Sequence, residues 1–329
     1  MAAAVQWITV DENSVGQRLD NFLIRELKGV PKTHVYRIIR SGEVRVNKGR
    51  AAADTRLALG DTVRLPPVRV SERAAGKAEA MAEAVSRAAP AREFPVLLED
   101  DHLIAIDKPA GVAVHGGSGV SFGVIEQLRM ARPQAKFLEL VHRLDRETSG
   151  ILLVAKKRSA LNHLQDQFRE RETGKTYLAL VLGDWPANKK VLDAPLHKYL
   201  LPDGERRVKV VAKDDPDGMR SITLVKVARR LEGFTLLEVT IKTGRTHQIR
   251  VHLASAGHPI AGDDKYGDFE ANRALARHSA DAGQQAGHKP GLKRMFLHAW
   301  RLAFNHPATA QRVTLLAPLP ADLQAFVDR

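Results

Sequence analysis

Apolar side chains near the start of the chain recur at helical spacing. They form two groups separated by Pro31, namely Leu19, Phe22, Leu23 and Leu27, then Val35, Ile38 and Ile39. Ser41-Gly42 predicts the end of the second helix, because glycine commonly follows a helical C-terminus. Residues 43–49 then alternate and turn as a short hairpin does, and residues 61–65 have the pattern of a later strand. The pattern predicts two small helices that back a hairpin.

The remainder of the chain alternates strand patterns with helical ones. Ile151 to Ala155 is a continuous apolar run, as expected for a strand in the middle of a sheet, and residues 177–182 and 234–241 are further apolar strands. Leu161, Leu164 and Phe168 mark one face of a helix. We therefore expect an α+β domain built around a mixed, mainly antiparallel sheet.

These patterns divide the 329 residues into two domains and a linker. Residues 12–68 form the small domain and residues 94–329 the large one. Residues 69–93 are rich in Ala, Glu, Arg and Lys but poor in large apolar side chains, which predicts a linker. A second low-complexity stretch, 271–291, is expected to be a mobile surface insertion in the large domain.

Charge and composition narrow the choice of partner. The chain carries 51 Lys and Arg against 38 Asp and Glu, a net charge of +13, and an excess of six basic residues falls between positions 18 and 64. Such a balance indicates a polyanionic partner, of which nucleic acid is the first candidate. The absence of cysteine excludes disulfides, thiolate nucleophiles and Cys-ligated zinc. No secretory or membrane-spanning pattern is present, which predicts a cytoplasmic protein.

Several histidines lie close together in sequence, but no metal-site pattern accompanies them. His247, His252 and His258 lack an HExxH motif or a matching carboxylate, which favours structural or RNA-contacting roles and no metal. The glycine-rich residues 116–123 have the wrong spacing for a dinucleotide-binding loop. We interpret them as a flexible loop near a substrate cleft, and we expect no cofactor.

The N-terminal pattern resembles the S4-type RNA-binding domain. The resemblance rests on Arg18-Leu19-Asp20 and on residues 38–47. Lys32-Thr33 stands where this family usually has Ser-Arg, so the basic contact is expected to shift. Small helices that carry basic side chains suit a module that grips the phosphates of a folded RNA. The expected RNA contacts are Arg18, Lys32, Arg37 and Arg40.

The run from His142 to Gly150 places one carboxylate, Asp145, in a polar loop before the apolar strand. A loop anchored on a buried strand is rigid enough to aim a side chain. Arg143 and Arg146 flank Asp145, and a carboxylate among cations stays ionised, as a nucleophile or an electrostatic stabiliser must. For an isolated Asp between two arginines, a turn held by a surface ion pair is the commoner interpretation.

Two further segments, around Tyr177 and Arg245, complete a pattern that resembles the pseudouridine synthases acting on large-subunit ribosomal RNA. The resemblance covers nearly the whole chain, through residues 107–109, 114–119, 142–150, 175–177, 243–252, 257–260, 266–268 and 296–299. Several motifs in the same order are far more specific than any one of them.

The resemblance implies an enzyme that isomerises uridine to pseudouridine in 23S ribosomal RNA without a cofactor, as a monomer. It implies that Asp145 is the catalytic aspartate, that Tyr177 stacks on the base, and that Arg245 is the cation paired with the aspartate. Arg143 matches the position that helps displace the target nucleotide, and Leu297 an apolar wall of the pocket. Two alternatives remain: a non-catalytic ribosome-assembly or RNA-binding protein, and an RNA or nucleoside glycosidase, which shares the oxocarbenium chemistry.

Overall fold

A computed structural model describes residues 5–11, 14–27, 30–68, 89–116, 122–281 and 291–328, with no side-chain detail for 278–281. It divides the chain into two compact units. One contains the described parts of 1–93, 116–139 and 155–163, and the other contains 94–115, 140–154 and the described residues from 164 onward. None of the helices described is both long and apolar enough to cross a membrane.

The N-terminal residues form a small helix-and-sheet module. Its elements are β1 (Gln6–Thr9), α1 (Leu19–Glu26), α2 (Lys32–Arg40), β2 (Arg45–Val46) and β3 (Thr62–Leu65). The strands form an antiparallel sheet in the order β1-β3-β2. The apolar faces of both helices supply its core, so the two predicted helices are confirmed. The predicted hairpin is reduced to one bridge between Val46 and Gly49, because β2 pairs with β3 instead.

The rest of the chain supplies the following elements: β4 (Val96–Glu99), β5 (Leu103–Lys108), α3 (Val124–Ala131), β6 (Glu139–Leu140), β7 (Ser149–Ala155), α4 (Arg158–Glu170), β8 (Gly174–Leu182), β9 (Val191–Asp193), β10 (Leu196–Leu200), β11 (Arg206–Val210), β12 (Ile222–Leu231), β13 (Phe234–Ile241), α5 (Gln248–Ser255), α6 (Phe269–Asp281), β14 (Leu297–Asn305), β15 (Arg312–Leu316) and α7 (Ala321–Val327).

A ten-stranded sheet organises the second unit. Eight strands run in the order β4-β5-β7-β14-β8-β13-β12-β9, while β15 pairs with β14 and β6 with β7. The pair β7 and β14 is parallel, and the pairs from β14 through β8, β13 and β12 to β9 are antiparallel. Strand β7 is buried along its whole length, which explains its uninterrupted apolar sequence. The expected mixed, mainly antiparallel α+β fold is confirmed.

Gly150 lets β7 approach β14 closely. Its φ is +109°, and a Cβ at this position would lie 2.3 Å from the carbonyl oxygen of Ala299. Only glycine fits such a position, because an added side chain meets backbone. The glycine that ends the 142–150 motif therefore fixes the strand on which the loop of Asp145 is anchored.

One sequence prediction about an irregular segment changes. Much of the expected insertion 271–291 is helical, since α6 covers Phe269–Asp281, and the backbone N–H of Leu292 bonds to the carbonyl of Leu275 beyond it. The high alanine content favours a helix over an irregular loop. Residues 282–290 of that insertion, 69–88 of the expected linker and 117–121 of the glycine-rich loop lie outside the described residues.

Candidate active site

The loop that carries Asp145 is anchored by backbone hydrogen bonds and by a buried lysine. The N–H of Thr148 donates to the carbonyl of Asp145 at 3.1 Å, and the N–H of Gly111 donates to that of Arg146 at 2.9 Å. The ammonium of Lys108 donates to the carbonyls of Arg146, Pro109 and Val112 at 2.8 to 3.1 Å. Burial lowers the pKa of Lys108 to about 7. Three carbonyl acceptors around one ammonium hold the two loops together.

A buried arginine faces the carboxylate of Asp145. Nη1 of Arg250, on α5, donates to Oδ2 of Asp145 at 3.4 Å. The Arg250 side chain is 3% exposed and that of Asp145 is 29% exposed. The pair is therefore formed by a cation that cannot turn to solvent and a carboxylate that keeps a solvent-accessible side. Such a geometry stabilises a negative charge beside an open position where a substrate can lie.

Asp263 holds Arg250 in place. Its two carboxylate oxygens accept from Nη2 and Nε of Arg250 at 2.6 and 2.7 Å, and one of them also accepts the N–H groups of Lys265 and Tyr266. Burial alone would raise the pKa of Asp263, but the guanidinium and the two N–H groups lower it overall. The bidentate pair fixes the plane of the guanidinium, and hence the direction in which Nη1 points.

Tyr177 lies close to Asp145 at the beginning of β8. Its side chain is half-buried and packs against the hydrophobic core that includes Leu297. Burial raises the pKa of the Tyr177 phenol, and the negative charge of Asp145 raises it further. The site therefore presents an uncharged aromatic ring beside a charged carboxylate.

The junction between β13 and α5 is fixed by a buried glutamine. The Gln248 amide donates to the carbonyl of Ile222 and the hydroxyl of Thr223, both at 3.0 Å, and its oxygen accepts from the Thr243 hydroxyl and the Arg245 N–H. The first turn of α5 is thus bonded to β12. This bonding sets the position of Arg250, two residues further along the helix.

The predicted partner of Asp145 is corrected by this geometry. Among the described residues, the guanidinium that contacts Asp145 belongs to Arg250 and not to Arg245, whose Nε donates to the carbonyl of Arg220 at 3.4 Å. The flanking arginines do not supply the charge either: the Arg143 side chain is exposed, and Arg146 contacts Gly111 and Glu147. Arg146 lies in a turn and its side chain reaches Gly111 and Glu147, so its position next to Asp145 in the sequence does not produce an ion pair between them.

Other predicted residues occupy clear positions. Leu297 is buried in β14 opposite Ala179 of β8, within the core against which Tyr177 packs. His252 is buried and structural, with its two ring nitrogens bonded to Thr223 and Ala194. His258 contacts the carbonyl of Leu182. The third histidine of the cluster, His247, lies 3.9 Å from Asp145.

The predicted RNA contacts of the N-terminal module differ in their surroundings. Lys32, Arg37 and Arg40 are exposed on α2, opposite its buried apolar face. Arg18 is exposed but forms a bidentate pair with the buried carboxylate of Asp20, at 2.7 and 3.1 Å. Arg18 therefore pairs with a buried carboxylate, whereas the contacts of Arg37 with His34 and Glu43 and of Arg40 with the Tyr36 carbonyl lie at the exposed surface.

A group of possible metal ligands lies outside the surroundings of Asp145. His197, Asp215 and Asp217 bring potential ligand atoms within 4.8 Å of one another, and no second such group occurs in the described parts of the chain. The Nδ1 atom of His197 already lies 3.4 Å from the carbonyl of Asp217. Exposed groups of this kind are common without an ion.

Comparison with known proteins places this geometry in a family. The RNA pseudouridylate synthase family model matches residues 102–255, and the S4 domain model matches residues 17–63. Ribosomal large subunit pseudouridine synthase C of Yersinia pestis is 51% identical over 320 residues, which cover 97% of this chain and 94% of that protein. The protein of the same name from Escherichia coli K12 is 50% identical over 326 residues, covering 99% and 97% of the two chains.

The chain belongs to the RNA pseudouridylate synthase family. Among solved structures, human RNA pseudouridylate synthase domain containing 4 is similar, with a TM-score of 0.56 and 26% identity over 75% of this chain and 94% of that one. The predicted family and the S4 domain are thereby confirmed.

Sequence reasoning missed two residues of this synthase site, Arg250 and Asp263. One signal was present: Arg250 stands between Ile249 and Val251, and an arginine among apolar helical positions needs a buried partner. The partner could not be found in the same way, because Asp263 follows α5 in a loop with other acidic residues. Only the fold distinguishes the buried Asp263 from the exposed Asp264 beside it.

Proposed function

We propose that the protein isomerises uridine to pseudouridine in large-subunit ribosomal RNA, with Asp145 as the catalytic residue. One observation carries the proposal: a partly open carboxylate lies 3.4 Å from a buried guanidinium, and its negative charge acts on the half-buried Tyr177. The relatives' names state the same reaction and RNA class. We further propose that the enzyme acts as a monomer in the cytoplasm.

The reaction requires one ionised carboxylate and no added atom. The N1 to C1′ bond breaks with its electron pair on uracil, and positive character develops on the sugar. Asp145 stabilises that charge or reacts with it, as a carboxylate does in glycoside hydrolysis. The base then turns, C5 bonds to C1′, the C5 proton leaves and N1 gains a proton. Uracil departs as a delocalised anion, so a second carboxylic acid is not required.

The neighbouring side chains suit the handling of an extruded nucleotide. Unstacking a base costs roughly a few kcal/mol, which the Tyr177 ring offsets by stacking on the uracil. Arg143, exposed beside the loop, is proposed to fill the gap in the RNA, and Arg245 to contact the RNA rather than Asp145. Leu297 and the fully buried Phe296 exclude water, so that the detached base is recaptured before the sugar is hydrolysed.

The direct test uses unmodified ribosomal RNA labelled with tritium at C5 of uridine. Isomerisation releases tritium to water while the base stays on the chain, and a glycosidase would instead release labelled uracil. We expect Asp145→Asn to abolish tritium release, because an amide cannot supply the negative charge. Asp184→Asn is the matched control, since that side chain is 83% exposed and its distance to Arg230 is that of a surface ion pair. Equal release by wild type and Asp145→Asn would remove the assignment.

We propose that the N-terminal module, residues 12–68, adds affinity through phosphate contacts, with 69–93 as a linker to the catalytic domain at 94–329. The exposed charges of Lys32, Arg37 and Arg40 support this role. Each lost phosphate contact should lower the slope of log affinity against log salt by about one unit. Neutralising all three should therefore flatten the salt dependence, measured by filter binding. An unchanged slope would mean that the charges contact no phosphate.

A further inference from the structure

His247 occupies an unusual position immediately before α5. Its backbone is left-handed, with φ 52° and ψ 19°, a conformation that few residues other than glycine adopt. Nε2 of its ring lies 3.9 Å from Oδ2 of Asp145, and Nδ1 lies 2.8 Å from the hydroxyl of Tyr266. The strained backbone thus directs one ring nitrogen to the carboxylate and the other to a phenol.

The hydrogen bonds of Tyr266 determine which ring nitrogen carries the proton. The backbone N–H of Val208 donates to the Tyr266 hydroxyl at 3.0 Å. The hydroxyl hydrogen is then free to donate to Nδ1 of His247, which makes Nδ1 an acceptor. A neutral imidazole with an acceptor at Nδ1 carries its hydrogen on Nε2, which is the nitrogen facing Asp145. The opposite tautomer would set a lone pair against the carboxylate.

We propose that His247 is a positioning residue for Asp145, held by Tyr266 as the neutral Nε2–H tautomer so that its N–H is directed at Oδ2. The inference rests on the proposed function, because it assigns a task beside the catalytic carboxylate. Nε2 lies 3.9 Å from the oxygen that accepts from Arg250, beyond hydrogen-bond distance, so its N–H stabilises the carboxylate as a nearby dipole. Arg250 and His247 both face Oδ2, which leaves Oδ1 as the oxygen that we expect to face the substrate.

The charges around His247 support a neutral ring. Burial lowers its pKa, and although Asp145 and Asp263 act in the opposite direction, Arg250 and Lys265 add to the lowering. Burial also raises the pKa of Tyr266, so its hydroxyl keeps the hydrogen that it donates. The guanidinium carbons of Arg250 and Arg207 lie 5.2 and 5.6 Å from the Tyr266 ring centroid. A cation on His247 would therefore face the like charges of Arg250 and Lys265.

The first test compares two substitutions with different donors. Glutamine retains an N–H near the position of Nε2, and leucine retains only bulk. A polar interaction with a charged group is worth roughly 10- to 100-fold in rate when it is lost in the transition state, so we expect His247→Leu to lower kcat by up to that factor with little change in KM. His247→Gln should restore much of the rate, and Tyr266→Phe should lower it. His163→Gln, on the exposed surface of α4, is the matched control.

The second test needs no activity. Nitrogen-15 NMR of the wild-type protein labelled at histidine reports the tautomer of each ring, and the spectrum of His247→Gln identifies the signal. We expect a neutral Nε2–H ring at pH 7 that becomes a mixture of tautomers in Tyr266→Phe. An Nδ1–H ring in wild type, or equal kcat losses in the leucine and glutamine variants, would overturn the inference. Failure of wild type to release tritium would instead refute the proposed function.

Discussion

Removing the carboxylate of Asp263 tests whether the site depends on the buried pair with Arg250. Asp263→Asn keeps the size of the side chain but leaves one oxygen where two accepted hydrogen bonds. Its amide N–H₂ would then face the guanidinium, donor against donor. The Asp263 side chain is 1% exposed and that of Arg250 is 3% exposed, so neither group can be rehydrated without local opening.

The expected loss follows from this burial. Removing one partner of a buried ion pair typically costs about 3 to 5 kcal/mol, because the remaining charge is left without compensation. Asp264 provides the comparison within the same cluster: it lies 3.3 Å from the same Nη2 atom, but its side chain is 66% exposed. An exposed pair contributes about 0 to 1 kcal/mol. Asp263→Asn should therefore destabilise the protein several times more than Asp264→Asn.

Urea denaturation, followed by tryptophan fluorescence and circular dichroism, measures both losses in free energy of unfolding. The pH dependence supplies a second check. Because the pKa of Asp263 is lowered in the folded protein, its contribution is fully present above the ordinary value of 3.8 and is lost as the pH falls further. The gap between wild type and Asp263→Asn should narrow below about pH 4. Equal losses for the two variants at neutral pH would refute the reasoning.

Three further outcomes follow from the described contacts. Burial lowers the pKa of His298 to about 4, so the unfolded chain takes up a proton at this residue first as the pH falls below 6.5. The contribution of His298 to stability should fall by about 3 kcal/mol between pH 6.5 and 4, and His298→Gln should remove that part of the wild-type slope in urea titrations. Gly150→Ala should lower the free energy of unfolding by more than about 3 kcal/mol, since the added Cβ would meet the Ala299 carbonyl. Gly233→Ala has open space around the added Cβ and should lower it by about 1 kcal/mol. Equal urea midpoints for the two variants would contradict this. Lys108→Met should lower single-turnover tritium release by roughly 10- to 100-fold, because the buried ammonium anchors the catalytic loop. It should change the free energy of unfolding by less than about 2 kcal/mol, because removal of a buried charge offsets the lost hydrogen bonds to the carbonyls. Unchanged release would show that this anchor does not position the catalytic loop.

Local sequence was sufficient for much of the fold. The helical periodicity around Phe22 and Ile38 and the apolar run of β7 identify elements that the structure contains, because burial on one face or on both produces a repeating pattern. The sequence patterns predicted two features poorly: which strands pair, and the conformation of the alanine-rich segment. Residues 45–46 pair with β3 rather than within a hairpin, and the alanine-rich residues after Phe269 form α6.

By itself the sequence determined the family and the candidate carboxylate Asp145, since these are properties of short motifs in a fixed order. Only the tertiary structure decided which cation the carboxylate meets. Asp145 and Arg250 are 105 positions apart, and the arginines adjacent to Asp145 point elsewhere. An ion pair depends on distances of a few ångströms in space, and these are set by the loop before β7 and by the helix that Gln248 bonds to β12.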